Sequence, residues 1–319
     1  MTKILIISFL ILLTSCDKNE DSEGNFENLI LNESIIVNGQ QRDYHIYIPN
    51  ATINKPLTIL LHGNGGNFDD VIGQTNVKSP QKIWLDLAEL HQFILVVPNG
   101  TLGSENKRGW NDCRSDAQGN PEINDVLFIE ELLTKLKSEY NHNENRVYIA
   151  GVSNGGQMAI RLALEIPEKI TAFASVIASM SDNSQCGEST IPVSALFMNG
   201  TEDPILPYNG GQMTGNRGLV KSTEETLQYW TNRNGIIDAP IEQNINDVNN
   251  SDNCNAVKYS YLNGNNNTAV MLYKINNGGH AEPSQTERYG NFFLSIVGNQ
   301  NGDFEMANEI WEFFKEKSK

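Results

Sequence analysis

The run Gly151-Val152-Ser153-Asn154-Gly155-Gly156 constrains this chain more than any other. It follows Val147-Tyr148-Ile149-Ala150, a continuous apolar run of the kind that forms a buried strand. It leads directly into Gln157 to Leu164, which has helical spacing and stops before Pro167. A strand that turns at once into a helix around a serine leaves no room for a Cβ on either side, and the glycines supply that room. The helix start also directs free N–H groups at the serine. Gly-x-Ser-x-Gly alone is a weak signal; between a strand and a helix it reads as a nucleophile elbow.

The surrounding pattern fits such a turn. Ile35 and Val37 lead into Asn38-Gly39, and Tyr44, Ile46 and Ile48 alternate after it, so Ser34 to Ile48 reads as an antiparallel hairpin. Strands follow at Leu57 to Leu61, Phe93 to Val97, Phe173 to Ala178, Ser194 to Met198, Val257 to Leu262 and Val270 to Ile275. Helices read at Ile83 to Ala88, Val126 to Leu136 with Asp125 as cap, Thr223 to Trp230 and Phe304 to Phe314. Trp84 and Trp230 fall on helical faces and read as core. The Asn- and Asp-rich stretch Asp238 to Asn255 reads as a surface loop. Strands alternating with helices from about residue 57 onward predict an α/β fold. Its sheet is mostly parallel, with helices on both faces and the antiparallel hairpin at one edge.

A nucleophilic serine needs a base and an acid, and behind an elbow of this type the chain order is Ser, acid, His. His45, His62, His91 and His142 all precede Ser153, so His280 is the candidate, in the loop after the last core strand. Asp203 is the expected acid, in Asn199-Gly200-Thr201-Glu202-Asp203-Pro204 after a strand; Glu202 is its close competitor, with Asp182 and Asp252 weaker. Its work would be to hold the His280 tautomer and stabilise the imidazolium. The oxyanion hole is expected from the backbone amides of Asn154 and of Asn64, in Leu61-His62-Gly63-Asn64-Gly65-Gly66. His62 is expected to pin that loop rather than act as a base. Trp110 and Tyr208 are candidates for stacking on substrate, with packing beneath their loops as the other reading. Two features argue against a structural zinc site. The chain has only five His and no Cys-x-x-Cys. No metal or organic cofactor is called for.

These segments together resemble the polyhydroxybutyrate depolymerase and feruloyl esterase group, carbohydrate esterase family 1, within the α/β-hydrolase fold. The resemblance rests on Leu61 to Gly66, Asn124 to Ile129, Arg146 to Ala159, Asn199 to Pro204 with Pro207 to Gly211, and Gly278-Gly279-His280. It spans about residues 30–317 and implies a secreted serine esterase with Ser153, Asp203 and His280 as triad. Feruloyl or acetyl esters of plant polysaccharide are the implied substrates, and a polyhydroxybutyrate or other polyester oligomer is the alternative. One departure stands out: the group often carries Trp two residues after the catalytic His, where this chain has Glu282. That leaves the acyl preference open.

The N-terminus reads as an address. Lys3 precedes the apolar run Ile4 to Leu13, too short for a membrane-spanning helix. The run ends in Leu13-Thr14-Ser15-Cys16, which resembles the bacterial lipoprotein box. Residues 1–15 are therefore expected to be a signal peptide, Cys16 the lipidated residue, 16–28 an acidic tether and 29–319 the esterase domain. The implied place is the bacterial outer membrane, held through lipid alone. The acidic tether also resembles the export signal of surface lipoproteins, so surface display and simple tethering both stay open. With 39 acidic against 23 basic residues the formal charge is −16, and no basic run exists. That excludes the counterion-displacing surface that nucleic acid requires. Cys113, Cys186 and Cys254 allow one disulfide in an oxidising compartment, in any of three pairings.

Overall fold

The computed structural model describes residues 26–319. The apolar leader, Cys16 and the tether up to residue 25 lie outside the described residues. The hairpin forms from β1 (Leu29–Val37) and β2 (Gln40–Tyr47). Its corner has φ of 49° at Asn38 and 78° at Gly39, the doubly left-handed turn that Asn-Gly favours. Next come β3 (Leu57–Leu61) and β4 (Ile94–Pro98), then a ribbon of β5 (Thr101–Leu102) and β6 (Arg108–Gly109). The strands β7 (Val147–Val152), β8 (Ala172–Val176) and β9 (Ser194–Gly200) complete the centre. A second ribbon joins β10 (Gly211–Gln212) to β11 (Leu219–Val220), and β12 (Ile241–Asn244), β13 (Asn255–Tyr261) and β14 (Val270–Asn276) close the sheet. The helices are α1 (Phe68–Val71), α2 (Ile83–His91), α3 (Asp125–Tyr140), α4 (Asn154–Glu165), α5 (Thr223–Arg233), α6 (Asn291–Val297) and α7 (Met306–Lys315).

The ten-stranded sheet runs β1-β2-β4-β3-β7-β8-β9-β14-β13-β12. From β4 to β14 neighbouring strands are parallel; at both edges they are antiparallel. Why the central strands β3, β4, β7, β8 and β9 are buried at every residue follows from the two cores. Leu57, Ile59 and Leu61 of β3, with Ile94 and Val96 of β4, join Phe128 and Leu132 of α3, Met158 of α4 and Trp230 of α5. The alternate residues Leu60, Leu95 and Val97 face the other way, with Trp84 of α2 and Trp311 and Phe314 of α7. Period-two side-chain geometry thus sends one strand into two hydrophobic layers, and no polar face remains. This is an α/β-hydrolase fold, with helices on both faces and Ser153 at the C-terminal end of the central strand β7.

Three expectations are corrected. Residues 238–255 are not loop throughout, since β12 pairs antiparallel with β13 at the far edge. All four β12 residues are exposed, so no apolar periodicity marked it. The cap of α3 is Asn124, whose side chain accepts from the Leu127 amide at 3.0 Å. Asp125 is instead buried against Arg42 at 2.6 Å and accepts from the Asn111 amide at 2.8 Å. Strand β8 ends at Val176, not Ala178, because Ile177 takes φ of 45°. Cys113 pairs with Cys186, and Cys254 is a buried thiol that burial pushes up to about 12. Among the described residues no helix is long and apolar enough to cross a membrane.

Candidate active site

Ser153 has φ 54° and ψ −120°, outside the regions ordinary residues occupy. The strain is held by its surroundings. The Ser153 amide donates to Val176 O of β8 at 2.8 Å, and α4 begins at the next residue. Gly155 must be glycine, since a Cβ there would lie 2.3 Å from Leu61 O of β3. The serine side chain is thereby lifted above the sheet edge, where loops after β3, β8, β9 and β14 converge.

His280 lies in the loop after β14. Its Nε2 is 2.9 Å from Ser153 Oγ and its Nδ1 is 2.6 Å from Asp203 Oδ2. The other oxygen of Asp203 accepts from the Ile205 and Leu206 amides at 2.7 and 2.8 Å, which fixes the carboxylate. The acid and histidine loops are joined by Glu202 N–H donating to Gly278 O at 2.9 Å. They approach so closely that a Cβ on Gly200 would lie 2.3 Å from Gly278 O. The competing acids are elsewhere: Glu202 is exposed, Asp182 pairs with Lys221, and Asp252 accepts from the Cys254 and Gly302 amides. The arrangement can remove a proton from Ser153 Oγ and carry it on His280 beside a fixed negative charge.

Asn154 opens α4, and Asn64 lines the same cavity as Ser153. In the Asn64 loop, Gly65 N–H donates to Arg108 O at 2.7 Å and Gly66 N–H to Gly63 O at 3.1 Å, so those two amides are committed. His62 accepts from Gly100 N–H at Nε2, 2.9 Å, and its Nδ1 is 2.8 Å from Gly63 O. An acceptor at Nε2 and a donor at Nδ1 define the neutral ring. Burial pushes its pKa down to about 4. His62 therefore pins the loop.

Trp110 and Tyr208 are not among the residues lining the two cavities beside Ser153. The Trp110 ring is 0% exposed and its Nε1 donates to His62 O at 2.9 Å. Its backbone is clamped by the Asn154 side chain, which accepts from Trp110 N–H at 2.7 Å and donates to Trp110 O at 3.0 Å. Asn154 Nδ2 also donates to Asp112 at 2.7 Å. Tyr208 is 6% exposed and donates to Glu224 at 2.8 Å. Both aromatic rings are supports, for the His62 loop and for α5.

The cavity in front of Ser153 and His280 has a volume of about 300 Å³. Ile177, Ile205, Phe293 and Val297 give it apolar wall, and Glu282 and Tyr289 give it a polar corner. Tyr289 donates to Glu282 Oε2 at 2.7 Å. Burial raises the pKa of both groups, so the tyrosine stays a donor. On the other side of Ser153 a narrow polar recess is lined by Asn64, Gln157 and Arg217. Gln157 Oε1 is buried there without a hydrogen-bond partner among the described residues. The sequence reading missed Ile177, Gln157, Tyr289 and Phe293. Only the apolar run in α6 carried a signal, and nothing local ties that run to Ser153. Among the described residues no group of three or more His, Cys, Asp or Glu is arranged to hold a metal ion.

Comparison with known proteins finds esterases. A bifunctional acetylxylan esterase/xylanase of Neocallimastix patriciarum is 30% identical over 171 residues, 53% of this chain but 22% of that longer protein. A probable feruloyl esterase C of Aspergillus niger is 26% identical over 245 residues, 73% of this chain and 83% of that one. The acetyl xylan esterase structure from Aspergillus awamori superposes with a TM-score of 0.52 at 15% identity, covering 84% of this chain and 97% of that one. A thermostable esterase structure gives 0.52 at 16% identity, covering 92% and 64%. The esterase family model matches residues 37–311, and the chain belongs to that family.

Proposed function

We propose that this protein hydrolyses feruloyl or acetyl esters of plant polysaccharide through an acyl-enzyme. Ser153 Oγ attacks the ester carbonyl as His280 takes its proton. The oxyanion is held by the backbone amides of Asn154 and Asn64. His280 then gives the proton to the leaving alcohol, and water repeats the sequence to release the acid. Asp203 keeps the Nδ1 proton of His280 in place and offsets the charge of the imidazolium. The observation that carries the reading is the hydrogen-bonded run Ser153–His280–Asp203 at the floor of an open cavity. The feruloyl and acetylxylan esterase relatives support the substrate class. A polyester is the second reading, favoured by Phe293 of α6, which lines the cavity and is exposed, with the exposed apolar Phe292 and Ile296 on the same helix.

The test is hydrolysis of methyl ferulate, p-nitrophenyl acetate and a 3-hydroxybutyrate oligomer by wild type and Ser153→Ala. Ferulate or acetate turnover that vanishes in the variant is expected. Oligomer turnover without ferulate turnover moves the protein to polyester chemistry, and wild-type rates in Ser153→Ala overturn the mechanism. We also propose that Cys16 carries the lipid, with the protein held at the outer membrane. Cys16→Ala should then release it from the membrane fraction, and an unchanged distribution would refute the anchor.

A further inference from the structure

We infer that Glu282 selects the alcohol half of the ester, by accepting a hydrogen bond from a hydroxyl next to the ester oxygen of a sugar or similar polyol. The inference rests on the polysaccharide-ester reading and names the group of that substrate which this chain recognises.

Position is the first argument. Glu282 lies two residues beyond His280 on one loop, and both line the cavity that holds Ser153. His280 hands its proton to the leaving oxygen, so the alcohol must lie over His280, in the cavity that Glu282 also lines. In an ester of a secondary ring hydroxyl of a sugar, a neighbouring carbon carries a free hydroxyl close to that oxygen unless it is itself substituted. In a methyl or simple alkyl ester it carries none.

Construction is the second. Glu282 is only 8% exposed, yet among the described residues no Lys or Arg pairs with it. Lys78, which lines the same cavity, pairs with Glu287 instead, at 3.6 Å. The carboxylate has one side-chain donor, the Tyr289 hydroxyl on Oε2, and its own backbone amide faces it as well. The pair is held rigidly. Gln300 Nε2 donates to Glu282 O at 2.8 Å, and Gln300 Oε1 accepts from Tyr289 N–H at 2.8 Å. A buried carboxylate with no cation beside it is costly unless a further donor reaches it. A substrate hydroxyl is such a donor, and a charged acceptor makes a stronger bond to it than a neutral one.

The test uses the full chain and matched esters differing in one atom group. These are 2-hydroxyethyl and 2-methoxyethyl ferulate, and the same pair as acetates, with whichever acyl group is turned over. Wild type should favour the hydroxyethyl ester by about tenfold or more in kcat/KM. In Glu282→Leu the ratio should fall to about one, with circular dichroism and thermal unfolding as the control on folding. Glu282→Gln keeps an acceptor for Tyr289, and its ratio should lie between the two. If Glu282→Leu fails to fold, a Gln ratio equal to wild type overturns the inference by itself. A wild-type ratio near one, or a Leu variant that keeps the preference, overturns it directly. Failure of the wider reading looks different: the hydroxyethyl preference would stand while esters on polysaccharide remain uncut.

Discussion

His62 and His280 sit beside glycines at the same end of the sheet, yet their surroundings give them opposite work. His62 is 2% exposed, and both its nitrogens are engaged by backbone groups, Gly100 N–H and Gly63 O. His280 meets two side chains, a carboxylate on one nitrogen and a hydroxyl on the other. Backbone partners demand one fixed tautomer and reward a neutral ring. A carboxylate and a hydroxyl allow the ring to gain a proton and give it back. What a histidine does here is decided by what its two nitrogens touch, not by the glycine-rich loop that carries it.

The widest separation between the two should appear in activity. On the proposed mechanism, His280→Ala should lower kcat by about 10⁴- to 10⁶-fold, because nucleophile and base act as one unit. Its melting temperature should fall less than that of His62→Ala, since the ring lines the cavity and Asp203 keeps its two backbone donors. His62→Ala should do the reverse, with a clear loss of stability and a much smaller loss of kcat. Steady-state kinetics and thermal unfolding of both variants check this. Equal losses of kcat in the two would erase the comparison.

How much of this was open to reading in the sequence follows from the range of each cause. The turn at Ser153 is marked by glycines on both sides, Gly151 against Gly155 O within the turn and Gly155 against Leu61 O of β3, so these glycines and the flanking strand and helix announce it. The order of serine, acid and histidine then leads to Asp203 and His280, since strands of a parallel sheet place their loops at one edge. The direction of an aromatic ring has no such local cause. Trp110 turns inward because Asn154 and His62, 44 and 48 residues away, hold its backbone and its indole N–H. Asp125 looked like a cap and is a buried partner of Arg42, 83 residues distant. The cavity wall is assembled from Ile177 after β8 and Phe293 in α6, and no pattern in either segment points to the other. The substrate half of the site was therefore far less legible than the chemical half.

The second separation is in pH. The pKa of His62 is about 4 in the folded protein, below the 6.5 of an exposed ring. Protonation thus favours the unfolded chain. The contribution is complete above pH 6.5 and is lost as pH falls from 6.5 towards 4, about 3 kcal/mol in all. Burial lowers His45 and His142 as well, so they add to the same slope. His62→Gln offers an oxygen to Gly100 N–H and does not titrate. Denaturant unfolding between pH 4 and 7 should show a shallower fall for this variant than for wild type, and parallel curves would show that His62 is not held neutral.

The smallest effect separates support from substrate contact. Trp110→Phe removes the hydrogen bond to His62 O and some packing, and should cost about 2 kcal/mol of stability. Because the ring lies beneath the loop, any loss of kcat/KM should be the same for an aromatic ester such as methyl ferulate and for a small acetate. On the proposed mechanism, loss of the indole N–H loosens the loop that presents Asn64, which would serve every ester alike. A ring that stacked on substrate would behave otherwise, raising KM for the ferulate and leaving the acetate untouched. The ratio of the two specificity constants, measured in wild type and variant, is therefore the sharper reading. An unchanged ratio with a lowered melting temperature places Trp110 with His62, and a ratio shifted against ferulate places it at the substrate.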